Sequence, residues 1–414
     1  MSAGIATTWA APHAPAAAPA LAGETWVPLL DGARAVTARA VAEEIAAELA
    51  RRAPGREPGL KGDAAAALLL ARCGRPEAAA RLEAALVAAA TRPITISLFG
   101  GLAGVAWVLE QLAGPEADAA IAHLDAALWQ HLDVPRWDER HDLMSGLAGA
   151  GVLVAERRDA RARRIAGRVL HHLERAAIVT DAGARWRTPP RFLPEARRAR
   201  FPHGMIDLGV AHGTPGVIGM LAHFVEAGVE PARSRRLLEA AVTWLCGAAP
   251  AGRPRFGTSW PASRAEAAKR IGWCYGDAGI AGVLLRAGRA LGCVDVEAAA
   301  LRMLRDLAAP LAVRGAPDAS FCHGAAGLAH VYNVAFQRSG DDALRRHAER
   351  WLDVVLRMRR PGAGIAGYRS LGWDGGAPRW EDDPTLLSGA VGTALVLLAA
   401  IEDREPAWQR LFVL

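Results

Sequence analysis

Two cysteines and a histidine are the residues of this chain best suited to hold a metal: Cys274 in GWCYGD, and Cys322 with His323 in SFCHGAAG. Thiolate sulfur and imidazole nitrogen are donors that zinc prefers. Neighbours such as Cys322 and His323 diverge by about 100° inside a helix, but in a loop ahead of a helix both can turn to one ion. Three protein ligands leave a fourth tetrahedral position for water or substrate, as in catalytic rather than structural zinc sites. Free cysteines are also commonly small buried residues, so spacing alone leaves both readings open.

Further polar residues crowd the same stretches. Asp142 lies in RHDLMSGLAG, His212 in GVAHGTPG, and Arg270 and Tyr275 flank Cys274 in RIGWCYGD. A histidine at the mouth of a helix is a candidate acid or base, although each of these residues, taken singly, more often serves structure than chemistry. His141, His203 and His330 lie near the same stretches and are set aside. Cys73, Cys246 and Cys293 sit in helical stretches without polar company and read as core.

The elements that position these groups come from a repeat. A glycine, two residues, a second glycine or small residue and an apolar run recur as GGLAGVAWVL, SGLAGAGVLVA, HGTPGVIGML, YGDAGIAGVLL, HGAAGLAHVY and SGAVGTALVLL, with a weaker copy, KGDAAAALLLA. The first glycines, from Gly62 to Gly389, are 39, 45, 67, 63, 48 and 65 residues apart. The shorter spacings suit a helical hairpin; the longer ones imply inserted loops. Amphipathic stretches such as DALRRHAERWLDVVLRMRR lie between and read as outer helices, while the glycine-led runs read as inner helices buried nearly all round. Such hairpins cannot bury their inner faces alone, but a closed ring can.

The pattern therefore predicts an all-α toroid of six to seven helical hairpins over residues 30–414, behind an Ala/Pro-rich disordered leader at 1–29. Lys61, Gly100, Ser145, His212, Tyr275, His323 and Ser388 occupy the position before each first glycine, and Cys274 and Cys322 the one before that. Consecutive motifs thus bring thiol and imidazole groups toward a common centre. Residues 178–208, rich in Pro and Arg, lack helical period and are expected to form an inserted loop or small subdomain. It reads equally as a peptide-binding surface or as a long connection.

Composition narrows the class. Hydrophobic residues make up 52% and charged residues 22%, enough for a large core, and the good helix formers Ala, Leu, Arg and Glu dominate. The net charge of +6 fits either a solvated Arg-rich surface or an anionic partner such as an acidic peptide. No basic stripe with interleaved aromatics marks a nucleic-acid binder. Five cysteines, an odd number in a large chain, argue against a disulfide framework and for a reducing compartment. The N-terminus has no basic n-region, and no apolar run reaches the length of a membrane span. A cytoplasmic protein is expected, with peripheral attachment to a membrane complex left open.

DLGVAHGTPG, GWCYGD and SFCHGAAG together resemble the lanthionine synthetase C family, the cyclases of lanthipeptide biosynthesis. HDLMSGLAG resembles that family's Asp-bearing motif and LLSGAVGTALVLL its last repeat. The resemblance runs from about residue 30 to the end. It implies an α/α toroid with one central zinc ion, and intramolecular Michael addition of peptide cysteines to dehydroalanine or dehydrobutyrine, giving lanthionine and methyllanthionine rings. Carried over by motif, Cys274, Cys322 and His323 are the implied zinc ligands, and His212 the implied acid/base group. Asp142, Arg270 and Tyr275 are implied to line the site.

The resemblance further implies a stand-alone cyclase, since the chain shows no kinase or lyase segment and is too short for a fused dehydratase. Its partners would be a dehydrated precursor peptide with its leader, a separate dehydratase and a transporter. Other readings remain: addition of a small thiol such as glutathione to dehydroamino acids by the same residues, or a non-enzymatic scaffold of a peptide-modification complex. A prenyltransferase subunit fits less well, because the adjacent Cys-His pair departs from its ligand pattern.

Overall fold

Each glycine-led apolar run forms a helix with little or no polar face. All nine residues of Leu147–Ala155 are buried, whereas Asp342–Met358 buries only Leu344, Ala348, Trp351, Leu352 and Val355, a single helical stripe. This difference sorts the chain into an inner and an outer layer. The structure is a computed structural model that describes residues 26–55, 57–249, 256–261, 271–307, 316–374 and 377–414.

In chain order the helices begin with α1 (Gly32–Arg51), α2 (Asp63–Arg72), α3 (Glu77–Thr91), α4 (Leu102–Ala113) and α5 (Asp118–Leu132). They continue with α6 (Leu147–Ala155), α7 (Ala160–Ala176), α8 (Glu195–Arg200), α9 (Thr214–Ala227) and α10 (Pro231–Ala248). The last are α11 (Asp277–Leu291), α12 (Val294–Leu307), α13 (Ala325–Ser339), α14 (Asp342–Met358) and α15 (Ala390–Ala399). The inner helices α2, α4, α6, α9, α11, α13 and α15 each touch the next, and α15 touches α2. Six outer helices pair with the inner helix before them; α1 packs on α15 and completes the seventh pair. Among the described residues the architecture is thus an α/α toroid of seven hairpins, one of them made from the two ends of the fold.

That closure uses residues ahead of α1. Trp26, Leu29 and Leu30 are buried. The Leu29 and Leu30 N–H groups donate to Ala400 O at 2.8 and 3.0 Å, and Trp26 Nε1 donates to Ala399 O at 2.8 Å. The boundary expected at residue 30 therefore moves: packing begins by Trp26, and residues 1–25 of the leader lie outside the described residues.

The middle of the ring is filled by a 3-10 helix, Ala407–Phe412. Phe412 meets Phe99, Trp273, Phe321 and Trp408, and Trp273 Nε1 donates to Phe412 O at 3.0 Å. His330 is buried in the same cluster, against Trp26, Phe321 and Trp408. Residues 178–208 hold the hairpin β1 (Ile178–Thr180) and β2 (Gly183–Arg185), α8, and β3 (Ile206–Asp207), which pairs with β4 (Ser259–Trp260). A further hairpin, β5 (Ser370–Asp374) with β6 (Ala377–Glu381), precedes α15.

Candidate metal centre and acid/base pair

The loops ahead of the inner helices are joined into a ring by backbone hydrogen bonds. Lys61 N donates to Phe99 O, Phe99 N to Met144 O, Met144 N to Ala211 O, and Ala211 N to Cys274 O. Cys274 N then donates to Cys322 O at 3.1 Å, Cys322 N to Leu387 O at 2.8 Å, and Leu386 N to Leu60 O, which returns to the start. These loop residues lie one to three positions before each motif's first glycine. The repeat register thus becomes a rim, with Cys274 and Cys322 on adjoining loops.

The second glycine of the motif makes this possible. A Cβ on Gly327 would stand 1.8 Å from Phe321 O, and one on Gly279 1.9 Å from Trp273 O. In six of the inner helices the first turn closes onto the loop residue six before it, where glycine leaves room; α2 has Ala65 at this position. Trp273 and Phe321 are fully buried against the central plug. Each directly precedes a cysteine, so the backbone that carries Cys274 and Cys322 is anchored from below.

Cys274 is buried, and Cys322 and His323 are half-buried. One ligand atom from each lies within 4.8 Å of the others. Tetrahedral zinc, with bonds of about 2.3 Å to sulfur and 2.0–2.1 Å to nitrogen, needs donors roughly 3.5–3.8 Å apart, so small side-chain rotations close the set. The donor chemistry and spacing fit such an ion. His323 Nε2 lies 3.9 Å from Asp318 Oδ2, and Asp318 is itself held by the N–H groups of Ser320 at 2.9 Å and Leu371 at 2.8 Å. Gly272 lets the two loops meet, because a Cβ there would stand 2.7 Å from His323 Cα.

The next loop carries a second arrangement. His212 Nδ1 and Asp142 Oδ2 are 3.0 Å apart, and Ser145 N–H donates to Asp142 Oδ1 at 2.7 Å. Burial acts to raise the Asp142 pKa, but the hydrogen bond and charge of His212 and the Ser145 N–H together hold it below the usual carboxylate range. For His212, burial opposes the charged ring, yet the Asp142 hydrogen bond and charge, with Asp207 adding, raise its pKa above the ordinary value. The His212 side chain remains 41% exposed, so the ring can meet a substrate while Nδ1 stays engaged.

Tyr275 belongs to a third arrangement. Its hydroxyl donates to Asp207 Oδ2 at 2.9 Å, Gly209 N–H donates to Asp207 Oδ1 at 2.7 Å, and Arg197 Nη1 of α8 lies 3.9 Å from Oδ2. Burial pushes the Asp207 carboxyl up to about 6. Tyr275→Phe is expected to leave this buried oxygen without its donor and to cost about 1–3 kcal/mol of stability. Thermal denaturation of the variant, with metal content unchanged, checks this.

The rim thus carries Asp142, His212, Tyr275, Cys274, Cys322 and His323; Arg270 lies outside the described residues. Sequence reading missed Asp207 and Asp318. Their signal was an aspartate six residues before Gly213, Gly324 and Gly389, where each side chain accepts the N–H two residues on. The core reading fails for Cys246, which is exposed in the last turn of α10, while Cys73 and Cys293 are half-buried. Among the described residues no helix is long and apolar enough to cross a membrane.

A helical toroid with a candidate metal centre on one rim is the class these features define. Within that class the chain belongs to the lanthionine synthetase C-like proteins, whose family model matches residues 61–413. Its fold is similar to the solved structure of nisin cyclase, with a TM-score of 0.69 and 17% sequence identity over 91% of this chain and 96% of that one. A comparison with curated protein sequences found no match.

Proposed function

We propose that this protein is a zinc-dependent cyclase that closes thioether rings in a dehydrated peptide. A peptide cysteine thiol would add to dehydroalanine or dehydrobutyrine in the same chain. The observation that carries this reading is the set of donor atoms from Cys274, Cys322 and His323 within 4.8 Å of one another, on the same rim as the His212–Asp142 pair.

Zinc, held by Cys274, Cys322 and His323, would supply one chemistry, the ionisation of a thiol at neutral pH. The rest falls to the chain. A carbon–sulfur bond forms at the β-carbon, the double-bond electrons move to the α-carbon and its carbonyl, and a proton is added at the α-carbon. His212 is suited to deliver that proton. Asp142 engages Nδ1 of a side chain that stays partly exposed, which leaves Nε2 as the nitrogen to serve the substrate. The thiol proton balances the one delivered, so the reaction is an isomerisation. Tyr275 and Asp207 shape the wall between the two loops, and Arg270 is assigned to the enolate oxygen. The substrate requires prior loss of water from serine or threonine, which places a dehydratase before this step.

The test uses purified protein and a synthetic peptide that holds one cysteine and one dehydroalanine. About one zinc per chain is expected, and the peptide should keep its mass while losing the ability to take up a thiol-alkylating reagent. Zinc-loaded protein that leaves the thiol alkylatable at the background rate would sink the proposal.

A further inference from the structure

A cavity of about 380 Å³ opens between the loop after α5 and the segment after α7. Four arginines, Arg136, Arg175, Arg187 and Arg191, border it, against two carboxylates, Asp138 and Glu139. Arg191 is engaged, since Nη2 donates to Asp138 O and lies 3.4 Å from that residue's Oδ1. No ion pair or hydrogen bond joins Arg136, Arg175 or Arg187 to another described residue, and all three are exposed.

Trp137, His141 and His172 also line the cavity. Both histidines are buried, and each keeps one ring nitrogen without a partner. Burial pushes His141 down to about 4 and lowers His172 as well, so the lining histidines are polar but neutral at pH 7. The positive field therefore comes from guanidinium groups, which do not deprotonate. Positive groups around a concave opening focus their field on whatever enters it. The volume lies in the range of small-ligand pockets, so it suits a few atoms of a flexible chain and not a folded surface.

Position links the cavity to the rim. His141 lines the cavity, and the next residue, Asp142, holds His212. Arg140, on the other side, reaches both Phe192 O at 2.9 Å and Asp142 Oδ2 at 3.7 Å. The backbone step from His141 to Asp142 thus connects the cavity lining to the acid/base pair.

We propose that this cavity binds an acidic side chain of the peptide substrate and so holds the peptide beside His212. The proposal rests on the cyclase reading for the identity of the peptide. Guanidinium forks match carboxylates in a bidentate way. The sequence's net charge of +6 acquires here a local site. A nucleic acid would ask for a basic stripe with stacking aromatics, not a pocket bordered by separate arginines.

The test is fluorescence anisotropy with a labelled octapeptide of alternating alanine and glutamate, and with its glutamine counterpart. The acidic peptide should bind in a salt-dependent way and the glutamine peptide should not. The triple variant Arg136→Gln, Arg175→Gln, Arg187→Gln should weaken binding about tenfold or more. The double reversal Arg175→Glu, Arg187→Glu should shift preference to a lysine octapeptide. Equal affinity for the glutamate and glutamine peptides, or an unchanged triple variant, would overturn the proposal. So would competition by inorganic phosphate or an oligothymidylate stronger than that of unlabelled acidic peptide. Cys322→Ala should bind the acidic peptide as the unaltered protein does. Zinc content and ring formation, measured on the same preparations, report on the cyclase reading separately: their failure with binding intact removes only the reaction, whereas lost binding with rings still formed removes only the cavity.

Discussion

Cys322→Ala is expected to abolish both metal binding and ring formation. The substitution leaves Cys274 and His323, two donors where a tight zinc site asks for three or more from the protein. A free thiol with a pKa near 8.5 is only about 3% ionised at pH 7, so loss of metal activation alone costs roughly thirtyfold. Loss of the fixed approach of the thiol to its acceptor adds to this, and a combined loss of about a thousandfold or more is expected. Metal analysis and the alkylation assay on the same sample check both parts. The fold should survive, because Trp273 and Phe321, not the thiol, lock the loops to the central plug. Retained zinc with full activity would remove Cys322 from the ligand set.

His212→Ala is the second large effect. It should leave zinc content intact and slow cyclisation by about a hundredfold to ten-thousandfold, the usual reach of a positioned acid or base. Asp142→Asn acts through His212, and its signature is a pH profile rather than a rate alone. Against the opposing effect of burial, the Asp142 carboxylate does most to raise the His212 pKa, with Asp207 adding. In the proposed role of acid His212 would have to be protonated, so activity should fall as pH rises through its raised pKa. In Asp142→Asn that limb should move to lower pH, and in the double variant the two losses should not add. A limb that stays in place in Asp142→Asn would show that the pair does not act as a unit. The same shift bears on stability. A histidine pKa raised by folding stabilises fully below the unfolded value of about 6.5 and loses that contribution as pH rises through the folded value.

The two effects separate the roles proposed for neighbouring loops. Cys322 would act on the nucleophile before the bond forms, and His212 on the carbon skeleton after it. A variant defective in one should keep the readout of the other, metal content for His212→Ala and the His212–Asp142 geometry for Cys322→Ala.

Much of this was legible in the sequence because the toroid is a repeat. Glycine pairs at fixed register announce a helix start that must close onto its own loop, and apolar runs with no polar face announce helices covered on all sides. Register alone then placed Cys274, Cys322, His323 and His212 at equivalent points of successive helices. Asp142 lies four residues before Gly146 and His212 one before Gly213, so register brought both toward the rim but did not pair them.

Contacts between distant segments were not legible, because a repeat pattern encodes each unit but not what crosses between units. Nothing local told that Trp26 would close the ring on Ala399, or that Phe412 would fill its centre. Asp207 reaches Tyr275 across 68 residues, and Asp318 meets Leu371 across 53; each depends on the backbone ring that sets adjoining loops side by side. The arginine-bordered cavity arises the same way, from two segments with no shared motif. Local chemistry and register therefore came from the sequence, while pairing, closure and the surroundings of each charged group were decided only when the chain met itself in three dimensions.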